Sequence, residues 1–289
     1  MSSAGSVKEV SKGTVFLKQF GERRTGTNYF RNLLLENFTN VVVLMHVLGD
    51  KHSVPVPLSP PEDVSPEAAC QWVRGLTLAR PAEFTAAGDA AQEEYLRSIA
   101  VPLAGAVRRG ELGFVLNVKD PYAWGASFCG YRHLVPSGLP RGRRAFPIAQ
   151  WLPRKAIRKL EEIRACKHLQ EACQVSNHKH RAWLEQHERF ASRSSVVRYE
   201  DVLSNPSAIL SGMRSKHGLR EGPRRVESIS REVSPAEWDH QNMTVLDREF
   251  ELDHYRERRY LQALTPAMTD TITRFVDWNL MAAFGYRPI

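Results

Sequence analysis

One segment near the start of the chain restricts the possible folds more than any other. From Thr14 to Leu34 it reads Thr-Val-Phe-Leu-Lys-Gln-Phe-Gly-Glu-Arg-Arg-Thr-Gly-Thr-Asn-Tyr-Phe-Arg-Asn-Leu-Leu. The apolar start predicts a buried strand that ends at Gly21, and apolar residues return at helical spacing from Tyr29. A strand, a glycine-bounded turn and a helix together point backbone N–H groups at an anion. We interpret the turn as a phosphate-binding loop, with an ordinary solvated turn as the alternative.

The loop differs from that of a kinase or a GTPase. Its two glycines have the Walker A spacing, but Thr27 and Asn28 follow the second glycine, where those enzymes have a lysine and a hydroxyl residue. The positive charge comes before that glycine instead, in Arg23 and Arg24. Because a guanidinium is planar and binds in a bidentate manner, this arrangement suits a phosphate or a sulfate.

Alternating strands and helices predict the fold class. Three further apolar runs indicate buried strands, at Val41–Met45, Glu111–Lys119 and Ser194–Tyr199. Helical patterns separate them, and Asp120-Pro121 starts a helix where the third strand ends. This order is typical of an α/β fold, a three-layer sandwich around a central parallel sheet. Ligands bind at the carboxyl ends of such strands, where we expect the first loop, Lys119 and Arg198–Asp201 to lie.

Composition adds few constraints. The 289 residues, of which 42% are hydrophobic, suffice for one large domain, which we predict over residues 13–289 after a flexible leader over 1–12. The net charge of +8 favours anionic partners without choosing among them. The four cysteines lack zinc spacing, and no run reaches the ~18 apolar residues of a membrane span. We therefore expect a soluble, cytoplasmic protein with reduced thiols.

The second half of the chain yields two structural predictions. Residues 151–190 have a helical pattern that contains four histidines, His168, His178, His180 and His187. Their spacing offers no metal site, and we interpret them as part of a solvated face. A last helix is predicted to begin at Thr265-Pro266 and to continue through Leu280.

Three short motifs, in order along the chain, resemble those of the sulfotransferase family. Arg23–Asn28 is similar to the family's 5′-phosphosulfate loop, and Lys119-Asp-Pro with Ser127 is similar to its 3′-phosphate motif. Tyr199-Glu-Asp resembles a segment whose tyrosine lies near the adenine. The resemblance spans residues 14–210 and implies a P-loop NTPase-like topology. It also implies 3′-phosphoadenosine 5′-phosphosulfate (PAPS) as donor, the bisphosphate PAP as product, and no metal.

The resemblance assigns roles to individual residues. Arg24 would stabilise the departing phosphate, as charge stabilisation does in phosphoryl transfer. A hydroxyl acceptor needs a general base, and the family takes a histidine after the second strand, so His52 is the first candidate and His46 the second. The donor-binding residues would be Arg23, Arg24, Thr25, Gly26, Thr27, Asn28, Lys119, Ser127 and Tyr199.

The sequence also departs from the family pattern. Arg23 stands where the family has proline, Asn28 where it has threonine, and Lys119 where it has arginine. Lysine binds phosphate as a point charge rather than as a fork, so recognition of the 3′ phosphate is expected to be looser. The family's late glycine-rich loop, with its basic 3′-phosphate ligand, has no good match. The substitutes that we consider are Arg224, Arg225 and Arg231.

The sequence therefore predicts a sulfotransferase that moves a sulfuryl group to a hydroxyl or amine of an unidentified small-molecule or glycan acceptor. A P-loop nucleotide-dependent kinase is one alternative, but the Walker lysine is absent. A non-catalytic binder of polyanions is another, but charge alone does not explain basic residues at strand ends beside helix starts. We expect no nucleic-acid or membrane partner, and the oligomeric state stays open, with a homodimer as one candidate.

Overall fold

A computed structural model describes residues 13–62, 65–77, 88–129, 154–223, 225 and 252–289. The predicted leader, Arg224 and Arg231 lie outside these residues. The chain divides into two compact units. The first unit lies within Met1–Val118 and Ala182–Phe250, and the second lies within Lys119–Arg181 and Glu251–Ile289. The single domain over 13–289 stays a prediction.

Four parallel strands form a sheet in the first unit, in the order β2-β1-β3-β4. The strands are β1 (Val15–Gly21), β2 (Val41–Leu44), β3 (Gly113–Val118) and β4 (Ser194–Arg198). In register, β1 places Val15 opposite Val41 and Leu17 opposite Gly113. The predicted α/β class with a central parallel sheet is confirmed. The fourth strand is one residue shorter than predicted, because Tyr199 begins a helix.

Helices follow the strands in the predicted alternation. The α-helices of the described residues are α1 (Thr27–Asn37), α2 (Pro66–Gly75), α3 (Gly88–Arg108), α4 (Pro121–Cys129), α5 (Arg154–Arg189), α6 (Tyr199–Ser204), α7 (Pro206–His217), α8 (Leu252–Arg256), α9 (Pro266–Phe275) and α10 (Trp278–Ala282). Proline opens α2, α7 and α9, each after a residue whose side chain accepts a backbone N–H bond. Asp120 does the same before α4, accepting from the amides of Tyr122 and Ala123.

Side chains alternate along β1 between two buried clusters, one on each face of the sheet. Phe16 and Phe20 pack with residues of α2 and α3 on one face. Leu17 packs with residues of α1, α6 and α7 on the other. Since helices cover both faces, the first unit is a three-layer α/β sandwich, with its core in these two clusters. Within the described residues, no helix is long and apolar enough to cross a membrane.

The core of the second unit combines α4, α5 and α9. Tyr122 and Trp124 from α4 pack with Leu169 from α5 and Ile272 from α9. A side chain at Gly125 would meet Ile272 Cδ1 at 2.6 Å, so α4 approaches α9 through a glycine. The helix that was predicted to begin at Asp120-Pro121 therefore supplies side chains to one side of this core.

Two predictions for the second unit are wrong. The last helix stops at Phe275, because Asp277 accepts a hydrogen bond from Leu280 N and begins a separate helix. The side chain of Asn177 secures this break by bonding to Phe275 O and Asp277 N. His180 is not part of a solvated face. It is buried at 5% exposure, and its Nδ1 lies 2.8 Å from Ser176 O.

Candidate functional site

The segment Glu22–Gly26, here called the glycine loop, joins the carboxyl end of β1 to α1. Buried Thr25 closes the turn, because its Oγ1 and its backbone N both donate to Glu22 O, at 2.7 and 3.2 Å. Gly26 precedes α1 with φ at 74°, and no side chain of the described residues caps the helix there. A first helical turn without a side-chain cap, facing a tight loop, is an arrangement that suits an anion.

Tyr199 supports the glycine loop from the end of β4. Its ring lies against Gly26 so closely that a methyl group there would overlap ring carbons Cδ2 and Cε2. Tyr29 packs edge-on against the same ring, with centroids 6.5 Å apart. Tyr199 is 5% exposed. The structure thus places this tyrosine under the loop, and contact with an adenine stays a prediction.

The two arginines of the glycine loop differ in setting. Arg23 is exposed, whereas Arg24 is half-buried and has φ at 73°. A left-handed backbone costs a non-glycine residue about 1–2 kcal/mol. The fold therefore holds Arg24 in a conformation that glycine would adopt more easily. Strain of this kind often occurs at functional sites.

His52, in the segment after β2, contacts the last residue of β1, directly before the glycine loop. Its Nδ1 lies 2.6 Å from Gly21 O, and Gly21 N donates to Lys51 O at 2.9 Å. A carbonyl oxygen only accepts, so Nδ1 carries the proton and Nε2 holds the free lone pair. Nε2 has no hydrogen-bond partner among the described residues. His52 is therefore arranged as a proton acceptor beside the end of β1.

The surroundings of His52 keep it neutral. Burial, the largest cause, and the positive charges of Lys51 and Arg23 together lower its pKa to about 3, against the opposing effects of Gly21 O and Asp50. Arg23 of the glycine loop is thus one of the charges that act on His52. At neutral pH the imidazole is uncharged, so the Nε2 lone pair is available to a proton. The low pKa also makes His52 a weaker base than a solvated imidazole.

The second candidate base, His46, is engaged elsewhere in the same segment. Its Nδ1 lies 3.4 Å from Asp50 Oδ1, which also accepts a hydrogen bond from His52 N at 3.2 Å. Burial raises the pKa of Asp50, but the nearby His46 side chain and the hydrogen bond from His52 N outweigh it and hold that pKa well below its usual range. Asp50 therefore stays ionised and links the two histidines.

The sequence did not single out Lys51 as a site residue. Its side chain is 5% exposed, and Nζ donates to Asn28 Oδ1 at 2.5 Å. Asn28 was predicted to bind the donor directly, and the structure shows it holding a buried ammonium at the first turn of α1. The only sequence signal for Lys51 was its position next to His52. The site therefore contains a lysine near the helix start, contributed by the segment that follows β2.

The second unit holds a separate cluster, formed by Lys119, Ser127 and Tyr255. Lys119 is 4% exposed, and its Nζ donates to Ser127 Oγ at 3.0 Å and to Tyr255 Oη at 3.2 Å. Ser127 Oγ in turn donates to Ala123 O. The structure thus brings together the two residues assigned to the 3′ phosphate, and binding of a phosphate there stays a prediction. Tyr255 was missed, because the mixed charges around it in the sequence show no pattern.

His52 gives a test of the site by pH. Since its pKa in the fold is about 3 against an ordinary 6.5, the unfolded chain binds more protons between these values. The protein should then lose stability as the pH falls below 6.5. Between pH 7 and pH 5 this loss should be about 2 kcal/mol smaller in His52→Gln, as urea unfolding would measure. A His52 NMR titration with a midpoint near 6.5 would contradict the assignment.

The fold and the site define a class: an α/β protein with an arginine-containing glycine loop and a neutral histidine at one edge of a parallel sheet. Comparison with protein-family models, curated proteins and solved structures found no match. No group of three or more His, Cys, Asp or Glu side chains suited to a metal ion occurs in the described part of the chain. The site can bind an anion on the glycine loop and accept a proton at His52.

Proposed function

We propose that the protein is a sulfotransferase that uses PAPS and transfers the sulfuryl group to a hydroxyl or amine. One observation carries the proposal: a neutral histidine is hydrogen-bonded to Gly21, the residue directly before the arginine-bearing glycine loop. A kinase would need the Walker lysine after the second glycine, and Thr27 stands there. A passive binder of polyanions would have no use for a half-buried proton acceptor beside the loop.

The donor carries anionic groups at the 5′ and 3′ positions of its ribose, and the motifs that resemble those of the family assign residues to each group. On the glycine loop, the first-turn N–H groups of α1 would bind the 5′ phosphate, with Arg23 and Arg24 supplying charge. Lys119 with Ser127 would bind the 3′ phosphate. The third ligand of that phosphate is unassigned, with exposed Arg225 one candidate.

The proposed transfer is a single in-line displacement. His52 Nε2 takes the proton of the acceptor hydroxyl while its oxygen forms a bond to sulfur. The bond between sulfur and the 5′-phosphate oxygen breaks, and the electron pair leaves with the phosphate. Arg24 stabilises the charge on that oxygen, and Lys51 adds positive charge beside the first turn of α1. We also propose that the protein acts in the cytoplasm.

A thermal-shift comparison tests the proposal. We expect PAP to raise the melting temperature without Mg²⁺ by several degrees at saturation, because ligand that binds only the folded state stabilises it. Adenosine 5′-phosphate should act more weakly, since it lacks the group expected at Lys119. Stabilisation by ATP with Mg²⁺ alone would instead indicate a kinase, and stabilisation by heparin alone a polyanion binder.

Ser127→Ala provides the matched arm of this experiment. It removes one hydroxyl from the Lys119 cluster and leaves the glycine loop intact. In this variant PAP should raise the melting temperature by less than in the wild type, while the shift caused by adenosine 5′-phosphate stays the same. If the shift caused by PAP is also unchanged, the 3′ phosphate binds elsewhere.

A further inference from the structure

A buried lysine in the middle of β1 has no role in the transfer proposed above. Lys18 is 1% exposed and lies between Phe16 and Phe20 on the sheet face that packs on α2 and α3. An ammonium group in such surroundings is costly unless hydrogen bonds replace its hydration. A lysine is therefore stable at this position only if its ammonium group has hydrogen-bond partners.

Three backbone carbonyls surround the ammonium. Lys18 Nζ donates to Met45 O at 3.0 Å, to Val47 O at 3.0 Å and to Gly49 O at 2.6 Å. All three belong to the segment that follows β2. Its backbone curls through left-handed conformations at Leu48, with φ at 61°, and Gly49, with φ at 87°. The ammonium thus uses all three of its protons to fix one strained turn.

This turn leads directly into the residues that hold the proposed base. Asp50 follows Gly49 and accepts from His52 N, and His52 Nδ1 meets Gly21 O on the same strand that contributes Lys18. Strand β1 therefore binds the segment after β2 through the side chain of Lys18 and, at Gly21, through both the backbone carbonyl and the backbone N–H. Without the Lys18 bonds, only the contacts at Gly21 would fix the imidazole against β1.

We propose that Lys18 is a positioning residue for His52: its three carbonyl bonds set the turn that holds the imidazole in one tautomer, with Nε2 as the proton acceptor. The kinetic part of this inference rests on the proposed function. The structural part does not, because the tautomer of His52 can be observed in the free protein.

The test replaces Lys18 with methionine, which keeps the apolar stem and removes the charge. Long-range ¹H–¹⁵N NMR, with His52→Gln to assign the ring, should show a single Nδ1–H tautomer in the wild type. In Lys18→Met it should show averaged ring nitrogens. We expect kcat to fall about 10²-fold, as a misplacement of about 1 Å can cause, while the Kd for PAP stays within about twofold.

Two further variants separate positioning from general stability. Ile99→Ala opens a cavity in the same buried cluster but keeps the three carbonyl bonds, so it should destabilise the protein and leave the tautomer unchanged. If Lys18→Met does not fold, Lys18→Arg is used, because a planar guanidinium cannot satisfy the same three carbonyls. A folded Lys18 variant with an unaltered His52 tautomer would overturn the inference. If the wild type shows the tautomer but no turnover, only the proposed function fails.

Discussion

Replacing Gly26 with alanine should abolish detectable binding of PAP while the rest of the first unit stays folded. The added methyl group would overlap the Tyr199 ring, which is buried and held from the side by Tyr29. The left-handed φ of 74° adds a conformational cost of about 1–2 kcal/mol. Both effects displace the glycine loop and the start of α1. Isothermal titration calorimetry with PAP would measure the loss.

Gly212 offers a matched control for this substitution. It lies in α7, where an added Cβ meets nothing within 4 Å. Alanine there should raise stability by up to about 1 kcal/mol through helix propensity and leave PAP binding unchanged. Adding Tyr199→Ala to Gly26→Ala should remove the overlap and restore part of the binding, as expected for residues in contact. Wild-type affinity in Gly26→Ala alone would show that the anion does not bind at this loop.

Replacing Arg24 with glycine should cost activity without costing stability. The φ of 73° suits glycine, so the free energy of unfolding should be unchanged or higher by up to about 1 kcal/mol. Loss of the guanidinium should lower kcat about 10²–10³-fold, the usual effect of removing one preorganised group that stabilises transition-state charge. Single-turnover assays with PAPS and urea unfolding would measure the two quantities.

Arg258 allows the backbone effect to be separated from the charge effect. It is an exposed arginine with φ at 51°, outside the glycine loop. Arg258→Gly should change the free energy of unfolding by about as much as Arg24→Gly does, but it should retain wild-type turnover. A variant Arg24→Gly with full activity would remove Arg24 from the mechanism. A large loss of stability in it would indicate that the side chain holds the loop structurally.

The sequence located the secondary structure around the site better than the contacts within it. Continuous apolar runs identified the four strands, and residue pairs such as Asp120-Pro121 identified helix starts, because caps depend on neighbouring residues. The grouping of Lys119 with Ser127 also came from the sequence, through its resemblance to the family's 3′-phosphate motif. By contrast, periodicity gave no sign that Asp277 would break the last helix or that His180 would be buried.

The contacts that build the glycine-loop site join segments far apart in the chain. His52 meets Gly21 across 31 positions, and Lys18 reaches Met45 across 27. Such pairs depend on strand register and on how a turn closes, and neither leaves a periodic pattern in the sequence. The sequence by itself determined the α/β class, the arginine-bearing loop and the candidate histidines. Only the tertiary structure decided the tautomer of His52, the support of Gly26 by Tyr199 and the bonds of Lys18, since each requires atoms from different strands to meet within hydrogen-bonding or van der Waals distance.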